Sequence, residues 1–283
     1  MEDLLPDSLS PKPESDQHLM VDEDTITMLV DAASLVKTDI VLEIGGGIGT
    51  LTKEIVRRAG KVVVFEKDVR YYNSLLERFA NNPSVSVING DILTARLPEF
   101  NKLVSNPPYS IIKQIFLKLA REKRSGLDLA VMTLPYRFTM ELTAGVDSSY
   151  FNPVSVLSLA FFDITIISSV DRSKFNPPPR VTSFCVKIVT KPLQKGKKGM
   201  AQLMMQGLFL YERKKASKIF RDAIWNYGYS VLGHKVSKRE AAAIVTGIFP
   251  ELGLFGENTT SNLSRKEFAS IVISLDRWAS NEG

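Results

Sequence analysis

Cysteine and histidine are scarce in this chain of 283 residues. The single cysteine, Cys185, excludes an internal disulfide framework and suits a reducing compartment. The two histidines, His18 and His234, lie far apart in the sequence and have no cysteine near them. We therefore predict no metal site, because structural zinc needs clustered cysteine or histidine ligands.

Long apolar segments are also missing. The longest apolar run, residues 154–170, contains Asp163 and several serines, which is not the pattern of a membrane span. Acidic residues near the N-terminus stand where a signal peptide would have basic and then apolar residues. We expect a cytoplasmic protein that does not enter a membrane.

Positive charge is concentrated in the C-terminal third. Residues 191–283 hold 15 lysines and arginines against 8 acids, whereas the whole chain holds 36 against 31. Residues 1–190 are therefore close to neutral. A neutral body joined to a basic segment favours a polyanionic partner such as nucleic acid, although a solvated basic surface has the same composition.

Strand-like and helix-like segments alternate through the first half of the chain. Short β-branched runs precede segments with helical apolar spacing, a pattern that predicts an α/β fold with a doubly wound, mostly parallel Rossmann-like sheet. We predict a disordered leader over residues 1–15, a sheet domain over 16–190 and a linker over 191–199. A small all-helical domain should follow over 200–283, with helices near 200–226, 237–248 and 264–279.

A glycine-rich turn follows the first predicted strand. Its glycines Gly45, Gly47 and Gly49 allow a ligand to approach the backbone closely. A dinucleotide-binding turn would need a further glycine where Thr50 stands, so the pattern resembles the S-adenosylmethionine turn instead. Glu43 would then be an acid near the cationic methionine portion of that cofactor. A tight turn with no ligand is the alternative.

Two further acids end the next predicted strands. Glu66 ends the second strand, where a carboxylate can accept hydrogen bonds from both hydroxyls of a ribose. Asp91 ends the third strand and is suited to an adenine amino group, with Ile92 packing on the ring. Each acid alone could be a solvated strand end. Together they describe one crevice shaped for a nucleoside.

The segment Ser105–Ser110 follows the fourth predicted strand. Two prolines there remove two backbone donors, so nearby carbonyls are left to accept hydrogen bonds from another molecule. We predict that Asn106 Oδ1 and the Pro107 carbonyl bind an exocyclic amine while Tyr109 stacks on the ring. The target base would have to be unpaired or flipped out. A proline turn capped by asparagine is the alternative.

These motifs together resemble the KsgA-type small-subunit ribosomal RNA adenine dimethyltransferases, in particular archaeal members. The segment that begins at Gln17 resembles the family's Q-N/H-F-L-x-D motif, and residues 42–52 resemble its cofactor turn. Residues 106–109 are similar to its N-L-P-Y motif, with Pro107 in place of leucine. Residues 175–183 are similar to its F-x-P-x-P-x-V-x-S loop.

The resemblance implies roles for further residues. Gln17 and Leu19 would help to hold the methionine part of S-adenosylmethionine, and Asn106 would also contact this cofactor. Phe175 would cover the second face of the target base. Lysines and arginines at the start of the C-terminal helices would contact RNA, and Lys214, Lys218 and Arg221 share one helix face. A solvated helix face is the alternative for these residues. The implied RNA-binding residues are Arg213, Lys214, Lys215, Lys218 and Arg221.

The implied activity is N6-dimethylation of adenines in small-subunit ribosomal RNA, with S-adenosylmethionine as methyl donor. The expected partner is this RNA or the pre-30S particle, and we expect a monomer. An amino-methyltransferase for another RNA, for DNA adenine or for protein glutamine is one alternative, because Asn-Pro-Pro-Tyr serves those amines too. A non-catalytic ribosome-assembly or RNA-binding factor is another, favoured by Asp16 and Pro135 at positions where the family has other residues.

Overall fold

The computed structural model describes residues 7–12, 16–121, 126–211, 213–252 and 259–280. The chain divides into two compact units. The first comprises Met1–Thr139 and Ile164–Thr190, and the second comprises Met140–Asp163 and Lys191–Gly283. Each unit has its own hydrophobic core.

The first unit is built on a seven-stranded sheet. In chain order, the strands of the described residues are β1 (Leu19–Met20), β2 (Ile40–Ile44), β3 (Lys61–Glu66), β4 (Val85–Asn89), β5 (Lys102–Ser105), β6 (Leu129–Pro135), β7 (Phe162–Val170), β8 (Phe175–Asn176) and β9 (Ser183–Thr190). The order in the main sheet is β4-β3-β2-β5-β6-β9-β7. Strands β2 to β6 pair in parallel, and β9 is antiparallel to β6. The predicted doubly wound, mostly parallel sheet is confirmed.

The strand order reverses between the neighbouring strands β2 and β5. In such sheets the ligand-binding crevice lies outside the carboxyl ends of the strands at this switch point. The Ser105 hydroxyl joins the two ends by donating to the Ile44 carbonyl, at 2.7 Å. The motifs at 43–49 and 105–110 therefore come to the same edge.

Among the described residues, four helices follow or flank strands of the first unit: α1 (Glu23–Ala32), α2 (Thr50–Arg58), α3 (Val69–Arg78) and α4 (Ile112–Arg121). Helix α5 (Tyr136–Thr143) begins in the first unit and ends in the second. Helix α1 begins at Asp22, whose carboxylate accepts from the Thr25 backbone N–H, and Asp68 caps α3 in the same way. Apolar residues at helical spacing in α1 and α2 pack with the valines of the sheet: Ile26, Leu29, Val30, Leu51, Ile55, Val41, Val62, Val64, Val104 and Val131.

Part of the predicted disordered leader is held against α3. Residues Asp7–Leu9 form a 3-10 turn, and the Tyr71 hydroxyl donates to the Leu9 carbonyl at 3.3 Å. Arg70 donates to the Ser8 and Ser10 carbonyls at 3.3 and 3.2 Å. The composition of residues 1–15 predicts disorder, because contacts with residues about 60 positions away in the sequence cannot be seen in a local composition. Residues 1–6 and 13–15 of the leader lie outside the described residues.

The second unit is helical. Its elements are α6 (Pro153–Phe161), α7 (Gly196–Leu210), α8 (Ala216–Tyr227), α9 (Tyr229–Leu232), α10 (Lys238–Leu252) and α11 (Arg265–Ser280). Helix α6 begins with Asn152 and Ser155 in a capping box and packs with α7. The sequence prediction assigns residues 16–190 to the sheet domain, and this range includes α6. Helix α6 packs with this unit because nearly all of its residues are apolar and need cover on more than one side.

The helical boundaries differ from the sequence prediction in two places. Helix α7 begins at Gly196, inside the predicted linker. The single helix expected over 200–226 is two helices, because the chain turns between them. The Lys214 N–H donates to the Tyr211 carbonyl in that turn, and Lys215 forms a β-bridge with Thr259.

No helix among the described residues is long and apolar enough to cross a membrane. Within those same ranges, no group of three or more histidine, cysteine, aspartate or glutamate side chains could hold a metal ion.

Candidate active site

A cavity of about 410 Å³ lies in the first unit at the carboxyl ends of β2, β3 and β5. This volume falls in the range of small-molecule sites. Seven of the nine predicted cofactor residues line it: Gln17, Leu19, Glu43, Gly45, Gly47, Glu66 and Asn106. Pro107 and Tyr109, which are predicted to act with Asn106 on the target amine, line it as well. The structure therefore brings the glycine turn and the Asn-Pro-Pro-Tyr turn to one cavity.

Glu43 is the buried acid of this cavity, with 1% of its surface exposed. Its Oε2 accepts a hydrogen bond from the Thr52 hydroxyl at 2.6 Å, while Oε1 has no partner among the described residues. Burial raises the pKa of Glu43 to about 8, against the effect of the Thr52 bond and with a contribution from Glu66. An unpaired carboxylate oxygen here suits a cationic ligand group.

Glu66, the last residue of β3, is hydrogen-bonded to the glycine turn. Its Oε2 accepts from the Gly47 N–H at 2.9 Å, and its Oε1 accepts from the Asp68 N–H at 2.8 Å. Burial raises the pKa of Glu66, although these backbone donors oppose the rise. A carboxylate has about four acceptor sites, so Glu66 can still accept from a ligand hydroxyl in addition to its backbone donors.

Gly47 has φ of +53°, a conformation that favours glycine, and a Cβ there would lie 2.8 Å from Leu19 Cδ2. We expect Gly47→Ala to weaken cofactor binding by at least about tenfold, because the turn must move and the N–H bond to Glu66 goes with it. Titration calorimetry with S-adenosylhomocysteine measures this. Gly90→Ala is the control, since a Cβ at Gly90 meets no heavy atom within 4 Å. Equal affinities in the two variants would contradict the expectation.

The cavity lining also includes part of a charged cluster that sequence reasoning missed. Gln17 Nε2 donates to Asp68 Oδ2 at 2.9 Å, and the Arg70 guanidinium contacts both Asp68 and Gln17 Oε1. The Arg70 hydrogen bond is the main reason that the pKa of Asp68 is lowered. Gln17 thus lines the cavity while its amide is held by α3. In the sequence, only the position of Asp68 directly before α3, where it caps the helix, pointed to this cluster.

Two predicted adenine-side residues are not in the cavity lining. Asp91 Oδ2 pairs with Lys67 Nζ at 2.9 Å, and its Oδ1 accepts from the Leu93 N–H. The Lys67 hydrogen bond lowers the pKa of Asp91. Ile92 is 4% exposed. Lys67 itself lines the cavity, so Asp91 adjoins the site through its ion-pair partner.

The Asn106 side chain is fixed on both sides. Its Nδ2 donates to the His18 carbonyl at 2.9 Å, and its Oδ1 accepts from the Thr133 hydroxyl. Among the described residues, no N–H donates to the Pro107 carbonyl. Tyr109 is held through its hydroxyl by Ser183 Oγ at 2.5 Å, and burial raises the pKa of this phenol to about 12. The phenol therefore stays neutral.

Phe175 lies in the core of the first unit. It pairs with Met20 between β8 and β1 and is 2% exposed. Its ring packs in the same cluster as Met20 and Ile26, so in this structure it does not cover a face of the cavity. The antiparallel pairing with β1 turns the ring inward, an effect that the loop motif alone does not reveal.

The predicted RNA-contacting residues belong to the second unit. Lys214 lies 4.4 Å from the centre of the Tyr211 ring, and Arg221 pairs with Asp222 at 2.8 Å. Lys218 is exposed on α8, as are Arg213 and Lys215 in the preceding turn. Trp225, about one helical turn beyond Arg221 on α8, is 41% exposed.

The model of the family described as "Ribosomal RNA adenine dimethylase" matches residues 10–222. The chain belongs to this family. The matched range in the dimethylase family covers the entire cavity and extends into α8.

Two relatives from archaea carry the same name. A protein named "Probable ribosomal RNA small subunit methyltransferase A" from Methanococcoides burtonii is 40% identical over 177 residues, which cover 62% of this chain and 64% of that protein. The protein of the same name from Methanosarcina barkeri is 35% identical over 216 residues, 76% of this chain and 73% of that one. The match thus spans just under two thirds of the M. burtonii protein.

Two solved structures share the fold. A dimethyladenosine transferase from Plasmodium falciparum superposes with a TM-score of 0.63 at 23% identity, covering 92% of this chain and 98% of that chain. The 23S rRNA methyltransferase ErmE superposes with a TM-score of 0.59 at 25% identity, covering 91% and 99%. The Rossmann-like methyltransferase fold is therefore common to all three.

Proposed function

We propose that this dimethylase transfers methyl groups from S-adenosylmethionine to the N6 amines of adenines in small-subunit ribosomal RNA. The observation that carries the proposal is a single cavity that joins the unpaired Glu43 oxygen to the Asn106 turn. The Glu43 end of the cavity suits a cation, and the Asn106 end suits an amine. Family membership and the names of the archaeal relatives support the choice of ribosomal RNA.

The residues present fit S-adenosylmethionine. When bound, this cofactor supplies a methyl group on a sulfonium, which is an activated leaving group. Glu43 would face its cationic amino acid portion, and Glu66 would accept from its ribose hydroxyls. Gly45 and Gly47 line the cavity with positive φ angles, so the turn keeps a backbone conformation that other residues rarely adopt. Asp91 would contribute through Lys67, with which it is paired.

The Asn106 turn would act on the target amine by position. Asn106 Oδ1 and the Pro107 carbonyl would each accept one N6 hydrogen, which aims the nitrogen lone pair away from them and into the cavity. Tyr109 would stack on one face of the adenine ring, since its hydroxyl is anchored at the far end by Ser183. Holding the amine in this orientation lowers the entropic part of the barrier without a general base.

RNA contact is proposed for the surface formed by Arg213, Lys214, Lys215, Lys218 and Arg221. On α8, Lys218 and Arg221 precede Trp225 at spacings that place all three on one face. Lys238 lies 4.1 Å from the centre of the Trp225 ring. Alternating basic and exposed aromatic side chains are typical of surfaces that bind unpaired RNA.

Charge reversal tests this surface. We expect Lys214→Glu combined with Lys218→Glu to weaken RNA binding about 10- to 100-fold at 0.1 M salt and to lower the salt dependence, because phosphate contacts release counterions. Fluorescence anisotropy with a labelled small-subunit ribosomal RNA fragment measures both. The control is Arg265→Glu with Lys266→Glu, two exposed residues of α11 in the same unit. Equal losses in both double variants would show that net charge alone matters.

The proposed reaction is tested with undermethylated small ribosomal subunits and tritiated S-adenosylmethionine. We expect label in the RNA, and mass spectrometry of the nucleosides should find N6-methylated adenosine, mono- or dimethylated. Naked DNA and total protein serve as competing substrates. Cofactor binding without label in RNA would exclude the proposed activity, and preferential labelling of DNA or protein would reassign the substrate.

A further inference from the structure

Two buried hydroxyls lie behind the Asn106 turn. Thr133 on β6 and Ser183 on β9 are both 0% exposed. Thr133 pairs with Cys185, and Ser183 pairs with Pro135, so the two hydroxyl residues are diagonal neighbours on one face of the antiparallel pair. A buried hydroxyl without a partner is costly, so each is expected to have a defined hydrogen bond.

The contacts of Asn106 decide which way its amide faces. The His18 carbonyl can only accept, so the amide nitrogen must face it, and the observed distance is 2.9 Å. Oδ1 must then face Thr133, and the Thr133 hydroxyl has only one hydrogen to donate. That hydrogen goes to Oδ1 and occupies one of its two acceptor sites.

The Tyr109 hydroxyl is anchored to the neighbouring strand. Its hydrogen-bond partner is Ser183 Oγ, 2.5 Å away. Asn106 and Tyr109 are therefore held by the same face of the β6–β9 pair, one through Thr133 and the other through Ser183.

We propose that Thr133 is a positioning residue of the methyl transfer. It holds the Asn106 amide with Oδ1 toward the substrate, so that the second acceptor site of Oδ1 is free for one hydrogen of the target amine. Because Thr133 and Ser183 are diagonal neighbours on one strand pair, the amine acceptor and the stacking ring are anchored to the same face. Thr133 itself does not touch the substrate. This inference rests on the proposed function, because the target amine comes from it.

Without the Thr133 hydroxyl only the hydrogen bond from Nδ2 to the His18 carbonyl would hold the amide. Oδ1 would lose its donor, and the acceptor site for the target amine would no longer be held in one direction. Turnover should fall, whereas cofactor binding should not, because Thr133 does not line the cavity. A merely structural role would instead lower the stability of the unit and affect every function of the site together.

Thr133→Val and Thr133→Ser separate these roles. We expect Thr133→Val to lower kcat about 10- to 50-fold with the Kd for S-adenosylhomocysteine within twofold of wild type. Thr133→Ser, which keeps the hydroxyl, should restore kcat to within about threefold. Thr139→Val removes another fully buried hydroxyl from the first unit and should leave kcat near wild type. Wild-type kcat in Thr133→Val, or a loss that Thr133→Ser does not rescue, would overturn the proposal.

A second measurement does not depend on the substrate. The side-chain amide of Asn106 can be assigned by nuclear magnetic resonance from the signal that Asn106→Ala removes. We expect its hydrogen exchange to be slowed in wild type and Thr133→Ser and accelerated at least tenfold in Thr133→Val. Unchanged exchange in Thr133→Val would overturn the positioning role. If the wild type transfers no methyl group to RNA but shows this exchange pattern, the proposed function is wrong, whereas the role of Thr133 in holding the Asn106 amide is confirmed.

Discussion

Asn106→Ala is expected to lower methyl transfer to RNA by about 10²–10³-fold, the loss typical of removing one well-placed hydrogen-bonding group from an active site. Asn106 Oδ1 is the acceptor that its two neighbours leave directed at the cavity. Alanine removes this acceptor but keeps the backbone of the turn, which Pro107 and Pro108 fix. Single-turnover incorporation of tritiated methyl groups into undermethylated small subunits measures the loss.

The control for this experiment is Asn73→Ala, an exposed asparagine on α3 in the same unit. It should keep wild-type turnover. The affinity of Asn106→Ala for S-adenosylhomocysteine should change only a few-fold, because Glu43, Glu66 and the glycine turn remain. Methylation at the wild-type rate in Asn106→Ala would remove the amine-binding role from this turn. Cellular function that persists when methylation is lost would instead favour an assembly factor.

The sequence predicted the site best where the sheet controls it. Glu43 and Glu66 lie at the carboxyl ends of β2 and β3, and Asn106 follows β5. The carboxyl ends of parallel strands share one edge of the sheet. Asp91 obeys the same rule but follows β4, the outermost strand, two places from β2. At that distance its carboxylate reaches Lys67 and not the cavity. The sequence pattern predicts which edge of the sheet a residue occupies, but it does not predict how far along that edge the residue lies from the cavity.

Long-range contacts explain what the sequence left out. Phe175 is buried because β8 pairs with β1, a strand more than 150 residues earlier, and no local pattern encodes that pairing. Thr133 was overlooked because a threonine inside an apolar strand is common and its importance comes from Asn106, 27 residues away. The break between α7 and α8 follows from the turn at Tyr211–Lys215, whereas apolar spacing continues on both sides.

Glu43→Gln should stabilise the free protein and weaken cofactor binding, and both effects should depend on pH. An unfolded glutamate ionises near pH 4.5, whereas Glu43 in the folded protein stays protonated up to about pH 8. Between these values only the unfolded state loses the proton, so this residue lowers the stability of the wild type as pH rises. The loss is complete above about pH 8. Glutamine cannot ionise and should avoid it.

We expect the unfolding free energies of Glu43→Gln and wild type to be similar at pH 5 and to differ by about 1–3 kcal/mol in favour of the variant at pH 8. Urea unfolding at both pH values measures the difference. Glu77→Gln, an exposed glutamate of α3, is the control and should show no such trend. A variant that is less stable than wild type at pH 8 would show that the carboxylate is compensated in the free protein.

Cofactor binding should respond in the opposite sense. A cationic ligand beside the unpaired Oε1 favours ionised Glu43, so the wild type should release up to about one proton on binding at pH 7, whereas Glu43→Gln should release fewer. Calorimetry in buffers of different ionisation enthalpy counts these protons. The variant should also bind S-adenosylmethionine at least about tenfold more weakly at pH 8, because it lacks the charge. Identical proton release and affinity in the two proteins would mean that Glu43 does not face the cation, and the cofactor would then have to lie differently in the cavity.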